Sequence, residues 1–374
     1  LNAVFVTGGN GYLGSYACTE LLRNSQVDLH LLVRAPDRPA ALARLWETWQ
    51  LHMSEDEFRT HLTRVTTHNG DLHAPDLGLG AARAGVVDAV DGVLHIAASL
   101  NRKSEKACLN SNLRGTLSVV KLARDIAERG HLDRYAHVST VAVAGERDRE
   151  IVHEAEAVDW KRSDYDPYGR TKKFAEHLAF ELLPGQRILI FRPSIVLGDA
   201  RFPQTTQFDM VRAFVAIADL PFVPLRPDIR LDIVNADWVG RSIRKVFLDP
   251  SPTQSLWHLS AGASSPSAKE ITRALVAGGA KRPPTFVPPL EAPFHLAVRA
   301  AARLPRENPL SGIGSLLKVF LPYIRYDTVF DNDRTVAAVG EAPRPFPEYC
   351  APLYAWSKAH HFSFPARPLS APIA

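Results

Sequence analysis

Cysteine is scarce: 3 residues in 374, at Cys18, Cys108 and Cys350, with no metal-ligand spacing among them. Two fall in apparent helices and one in the C-terminal tail. That excludes a disulfide-stapled scaffold and a cysteine zinc site, and leaves thiols in a reducing compartment. The 14 histidines contain no HxxxH pair, so no metal centre is expected. No apolar run reaches the roughly 18 residues of a spanning helix, so no transmembrane segment is expected. No leader is legible. Leu1 runs straight into a strand, any leader or upstream domain lies outside this chain, and cytoplasm is the default location. A dominant charge sign is missing too. The 44 basic and 40 acidic residues leave a net charge of +4, interspersed along the chain, which argues against nucleic acid as a partner. No internal repeat occurs.

What is present is a rhythm. Ala3–Thr7, Val27–Val33, Arg64–Thr67, Val93–Ala97, Arg134–Thr140 and Arg187–Phe191 are short apolar runs with the character of buried strands. Tyr12–Leu22, Ala40–Leu51, Asn110–Glu128 and Pro167–Leu182 between them have helical spacing. Strands separated by helices imply parallel βαβ units, hence a doubly wound α/β sheet of Rossmann type. Residues 1–200 are expected to form this domain, with Leu231–Val234 and Trp257–Ser260 returning to its sheet. Residues 201–374 read as a smaller, mainly helical substrate lobe, rich in proline at 283, 284, 288, 289, 293, 305, 309 and 322. Phe364–Ala374 reads as a loose tail.

The first turn is Thr7-Gly8-Gly9-Asn10-Gly11-Tyr12-Leu13-Gly14, between a strand and a helix. Gly8 and Gly11 permit a tight turn and close approach of backbone to a pyrophosphate, and Gly14 lets the helix pack on the strand. Phosphates there meet free N–H groups at the positive end of the helix dipole. At the end of the second strand an NAD enzyme places a carboxylate for the ribose 2′-hydroxyl; here stands Arg34, twenty residues past Gly14. A guanidinium binds a 2′-phosphate bidentately, so NADPH is the expected cofactor. Arg44 is either a second clamp or part of a solvated helix face. Asp71 and Leu72 follow the third strand, where such folds contact adenine. Ala97 and Ala98 follow the fourth, with side chains small enough to line a cofactor. His95 reads as a packing residue.

Tyr168-Gly169-Arg170-Thr171-Lys172 is a YxxxK motif near a helix start, with both side chains on one face. A free phenol titrates near 10. A neighbouring ammonium is expected to lower that value, so that the tyrosine passes a proton to a carbonyl oxygen while hydride reaches the carbon. Lys172 also suits the nicotinamide ribose. Val138-Ser139-Thr140 ends the fifth strand. Alternation allows one of Ser139 and Thr140 to face the cleft, and Thr140 is the choice, to bind the substrate oxygen. Asn112, on the preceding helix, suits an anchor for backbone or for a water in a proton relay. YxxxK alone is a weak signal; the glycine turn, the strand-terminal Ser-Thr and the motif in this order give it weight.

With VTGGNGYLG at 6–14, LLVRAPD at 31–37, GDLHAPDLGLG at 70–80, LHIAAS at 94–99, NLRGT at 112–116, VST at 138–140, YGRTK at 168–172 and FRPSIVLGD at 191–199, the chain resembles the extended short-chain dehydrogenase/reductases. More narrowly it resembles their thioester-reductase and fatty acyl-CoA reductase branch, well over about the first 200 residues. The resemblance implies NADPH, contacts from Pro193 to the cofactor, and hydride delivery to an acyl thioester on an acyl-carrier protein or coenzyme A, giving an aldehyde or alcohol. It assigns the chemistry to Thr140, Tyr168 and Lys172. No adenylation or carrier domain is visible beside them, so the acyl donor is expected in trans or from residues before Leu1. Two other readings stand beside this one: a ketone or hydroxyl oxidoreductase acting on a lipid or sterol-like substrate, and a non-catalytic NADPH-binding sensor.

Phe202, Phe208, Met210, Phe214, Phe222 and Val223 are expected near the cleft mouth, as lobe core or as a channel for a lipid-like group. Arg212, Arg226, Arg230, Arg299 and Arg303 read as phosphate contacts or as a solvated face. A basic, apolar helix there also admits weak contact with a membrane surface.

Overall fold

The computed structural model describes residues 1–155, 158–279, 284–305, 307–371 and 373, without the side chains at 309, 310, 313, 319, 320, 322 and 324. Pro283 and Ala374 thus lie outside the described residues.

Ala3–Thr7 (β1) is β-rich in composition and buried at every position. A strand covered on both faces needs a parallel neighbour on each side, and it has two: Asp28–Val33 (β2) and Gly92–His95 (β4). Val65–Asn69 (β3) pairs beyond β2. Arg134–Val138 (β5), Ile188–Pro193 (β6) and Leu256–Leu259 (β7) continue beyond β4. The order β3-β2-β1-β4-β5-β6-β7 is a doubly wound parallel sheet. Its direction of winding reverses between β1 and β4. The crossovers on the two sides of that point leave a crevice outside the carboxyl ends of the strands.

The helices that close the two faces are set by local chemistry. Tyr12–Asn24 (α1) follows the glycine turn. Arg38–Trp49 (α2) starts at Asp37, whose carboxylate accepts from the Ala40 N–H, with a proline in the first turn. Thr116–Glu128 (α3) leads to β5. Pro167–Leu182 (α4) starts at Asp166, whose carboxylate accepts from the Gly169 N–H at 2.8 Å. Ala236–Leu248 (α5) packs beside α1 on the face that holds Val4, Val6, Leu31, Trp238 and Ile243. The other face buries Phe5, Val93, Val119, Ile126 and Ala179.

Several boundaries differ from the sequence reading. Asn110–Glu128 is not one α-helix: Leu109–Gly115 is π-helical and only Thr116 onward is α. The fifth strand stops at Val138, and Thr140 opens a 3-10 turn. Leu231–Val234 does not rejoin the main sheet. Its Ile233–Val234 pairs with Ile195–Val196 in a separate two-stranded ladder. Cys350 lies in a helix, Cys350–Ala359, and all three cysteines are buried.

The tail is not loose. The Arg367 carbonyl accepts from the Trp46 indole at 2.8 Å, and its N–H donates to Gln50 Oε1 at 2.8 Å. Ser370 donates to Glu55, and Leu369 and Ile373 pack on the core. Apolar residues spaced along a proline-rich segment suffice to hold it without secondary structure.

Val329–Phe330 pairs with Ile151–Val152. That ladder carries the end of Pro309–Arg325 (α6) and the residues after it over the crevice. Among the described residues no helix is long and apolar enough to cross a membrane.

Candidate active site

One cavity of about 500 Å³ runs along the carboxyl ends of the strands. At one end it is bounded by the glycine turn. Gly8 has φ +80°, a conformation that disfavours a side chain, and a Cβ there would lie 2.6 Å from the Ala97 nitrogen. A Cβ on Gly14 would lie 1.9 Å from the Gly8 carbonyl oxygen. Only glycine lets β1, α1 and the segment after β4 come this close. The helix cap, Gly11, offers no side-chain bond, so first-turn N–H groups face the cavity without a side-chain partner. This cradle fits a dinucleotide pyrophosphate. Thr7, Gly8, Gly11, Tyr12, Leu13 and Gly14 all line it.

Two side chains hold the cradle from behind. The Trp49 indole donates to the Gly9 carbonyl at 2.9 Å, and the Thr48 hydroxyl to Asn10 at 3.3 Å. His95 is buried between the Thr7 hydroxyl at 2.6 Å and the Thr116 hydroxyl at 2.9 Å, a packing and hydrogen-bonding position as its sequence context suggests. Asn112 is not on the cavity wall. Its carboxamide accepts from Ser99 N–H at 2.7 Å and donates to the Ser99 carbonyl at 3.2 Å, so it clamps the segment after β4. The π-helical turn carries this side chain inward.

Arg34, Arg44, Asp71 and Leu72 also line the cavity. The Arg34 side chain is 67% exposed and its guanidinium stands 3.7 Å from the Asp71 carboxylate. Arg44 donates to the Arg34 carbonyl. Two guanidinium groups thus share this rim. Ala97, Ala98 and Pro193 line the middle.

The catalytic candidates meet at the ends of β5 and α4. Lys172 is buried, and its ammonium donates to the Val138 carbonyl at 2.7 Å, at the point where the strand stops. Burial pulls it down to about 7, with Glu176 opposing weakly. Thr140 accepts from the Ala142 N–H at 3.3 Å and its hydroxyl lies beside the Tyr168 phenol. Both Ser139 and Thr140 line the cavity, because the strand has ended and alternation no longer applies. The Ser139 hydroxyl has no partner among the described residues.

The sequence reading gives Lys172 the task of acidifying Tyr168. The structure differs. Burial raises the Tyr168 phenol, and the cation lying against it is Arg102, 4.2 Å from the ring centroid. Arg102 is the residue that sequence reasoning missed. It sits in a loop beside Lys103, and nothing local separates the two. Asp166, the cap of α4, also went unread, although a carboxylate before a proline is a cap signal. Tyr165, Tyr323 and Tyr326 also line the cavity, and the latter two lie far along the chain.

Of the residues expected at the cleft mouth, only Met210 lines the cavity. Phe214 packs on Phe346, Phe208 stacks on Trp356, Phe202 lies under Arg201, and Phe222 is exposed. Arg226 and Arg230 pair with Asp327, and Arg212 donates to the Phe362 carbonyl. Among the described residues no cluster of His, Cys, Asp or Glu fits a metal ion.

Residues 6–243 match the model of an NAD-binding family described as Male sterility protein. The chain is similar to a component of the linear gramicidin synthase of Brevibacillus parabrevis, 30% identical over 265 residues covering 69% of this chain and 5% of that one. It is similar to the fatty acyl-CoA reductase wat of Drosophila melanogaster, 27% identical over 241 residues covering 55% of this chain and 45% of that one. It thus spans less than half the length of these two relatives. Among solved structures, the terminal R domain from the myxalamid PKS-NRPS biosynthetic pathway shares the fold, with a TM-score of 0.81 at 20% identity over 100% of this chain and 93% of that one.

Proposed function

The chain belongs to the Male sterility protein family, whose model spans the glycine turn, Thr140, Tyr168 and Lys172 alike, and from that premise we propose that it is an NADPH-dependent reductase of acyl thioesters. The observation that carries this reading is one cavity lined both by the glycine cradle and by Thr140, Tyr168 and Lys172. The fatty acyl-CoA reductase among the relatives supports the thioester class. The acyl group is carried by coenzyme A or by an acyl-carrier protein, and residues after about 200 supply the substrate lobe.

The chain's own groups account for the chemistry. The cradle and the first turn of α1 hold a pyrophosphate. Arg34 and Arg44 hold a 2′-phosphate, which favours NADPH over NADH. Lys172 holds the ribose hydroxyls and the end of β5. Thr140 donates to the thioester oxygen. A dihydronicotinamide held by these residues would supply the hydride for the acyl carbon. Tyr168 then gives its proton to the oxygen as negative charge develops there. A phenol raised by burial keeps that proton at neutral pH. Collapse of the tetrahedral product returns a proton to the departing sulfur and leaves aldehyde and thiol.

The test is a product analysis. With NADPH and a panel of acyl-CoA and acyl-pantetheine thioesters, the account expects free thiol to appear in step with NADPH loss. Turnover of ketones with no thioester consumed would select the ketone reductase reading. Tight NADPH binding with no turnover at all would leave a sensor.

A further inference from the structure

A column of side chains leads away from the catalytic phenol. The Tyr168 ring lies 4.2 Å from the Arg102 guanidinium, which also lies 4.6 Å from the Tyr323 ring. Tyr323 stacks on Tyr165 with centroids 5.0 Å apart. Asp166 ties the column together. One carboxylate oxygen caps α4 at the Gly169 N–H, 2.8 Å away; the other accepts from Arg102 at 3.0 Å and from the Tyr323 hydroxyl at 2.9 Å. Arg102 also donates to the Tyr323 hydroxyl. The side chains of Arg102 and Asp166 are only 15% and 13% exposed. An ion pair this enclosed must be held in register by its surroundings, because a misplaced buried charge is costly.

We propose that Arg102 is a positioning residue for Tyr168: its guanidinium, anchored on Asp166 and lying against the rings of Tyr168 and Tyr323, fixes the phenol in the cleft and couples it to the seating of α6. The kinetic arm of this inference rests on the proton-donor reading of Tyr168; the structural arm does not. Around the phenol the charged and titratable groups are Arg102 and Cys108 from the segment after β4, Thr140 from the end of β5, Asp166 and Lys172 from α4, and Tyr323 from α6. Burial raises the phenol, Arg102 pulls it down, and Asp166 and Cys108 add to the rise. Burial also opposes the charge on Arg102, but Tyr323, Asp166 and Tyr168 outweigh it. The cation therefore persists at the pH where the phenol titrates. Seating α6 brings the Tyr323 face onto Arg102, so the acid strength of Tyr168 depends on a helix from the other end of the chain.

The experiment uses the full chain labelled with ¹³C at the tyrosine ζ-carbons, the Tyr168 resonance being assigned by its loss in Tyr168→Phe. In Arg102→Met the onset of Tyr168 titration should move to higher pH by roughly one unit or more. Arg102→Lys should return it toward wild type. With a thioester substrate, Arg102→Met should lower kcat about tenfold while the KM for NADPH stays unchanged. A merely structural role would leave the titration alone and scatter its effect over kcat and KM. If Arg102→Met does not fold, Tyr323→Leu keeps the charge but frees it, and should move the onset in the same direction by less. An unmoved titration in a folded variant overturns the proposal. Because the resonance is read without substrate, it decides this inference even if no thioester is turned over.

Discussion

Lys172 is a lysine held almost entirely out of water, with a backbone carbonyl as its hydrogen-bond acceptor. Its folded-state value near 7 lies below an unfolded value near 10.4. The native chain therefore binds that proton less well than the unfolded chain. The penalty is full below about 7 and fades as pH rises toward the unfolded value. Lys172→Met should raise the melting temperature at pH 6 and raise it less at pH 9, while abolishing turnover; paired thermal melts check the sign. Tyr168→Phe removes the proposed proton donor but no cradle contact. It should lower kcat by about two to four orders of magnitude, with NADPH affinity within about twofold, by fluorescence titration and steady-state kinetics. Arg34 offers a largely exposed guanidinium beside Asp71. Arg34→Asp should move the NADPH/NADH preference in kcat/KM toward NADH by about tenfold or more. An unchanged ratio would remove Arg34 from the cofactor site.

Elements explain what was legible in the sequence. The glycine turn and YxxxK are local signals, set within a few residues of the bonds they form. A Cβ at Gly14 would meet the Gly8 carbonyl at 1.9 Å, so β1 and α1 cannot keep their spacing with alanine there. Gly14→Ala should cost about 3 kcal/mol in denaturant unfolding and eliminate measurable cofactor binding. Other features carry no local mark. The stretch 110–128 reads as one amphipathic helix, yet it opens in a π-turn from which Asn112 bonds Ser99, a partner thirteen residues back. Leu231–Val234 has strand composition, but composition does not name the partner strand, and Ile195–Val196 takes it. Arg102 and Tyr323 stand 221 residues apart, so only the folded chain brings them to Tyr168.

Over the whole molecule, the last residues reach the first functional element. The tail bonds Trp46 of α2 and Gln50 just after it, and Trp49 of that helix holds the Gly9 carbonyl of the glycine turn. Removing residues 364–374 should lower the melting temperature by roughly a few degrees. It should also weaken NADPH binding several-fold and leave the Tyr168 titration in place. The central claim joins two parts of one cavity: a dinucleotide anchored by its pyrophosphate in the cradle and a phenolic acid beside its nicotinamide and a thioester. The measurement that reaches it most directly is mass analysis of the product formed from an acyl thioester with 4-deuterated NADPH. The account predicts deuterium on the former carbonyl carbon of the aldehyde, or of the alcohol where reduction continues, formed by Tyr168→Phe at least about a hundredfold more slowly. Label retained in the cofactor with the thioester intact, or labelled product from Tyr168→Phe at the wild-type rate, would contradict it.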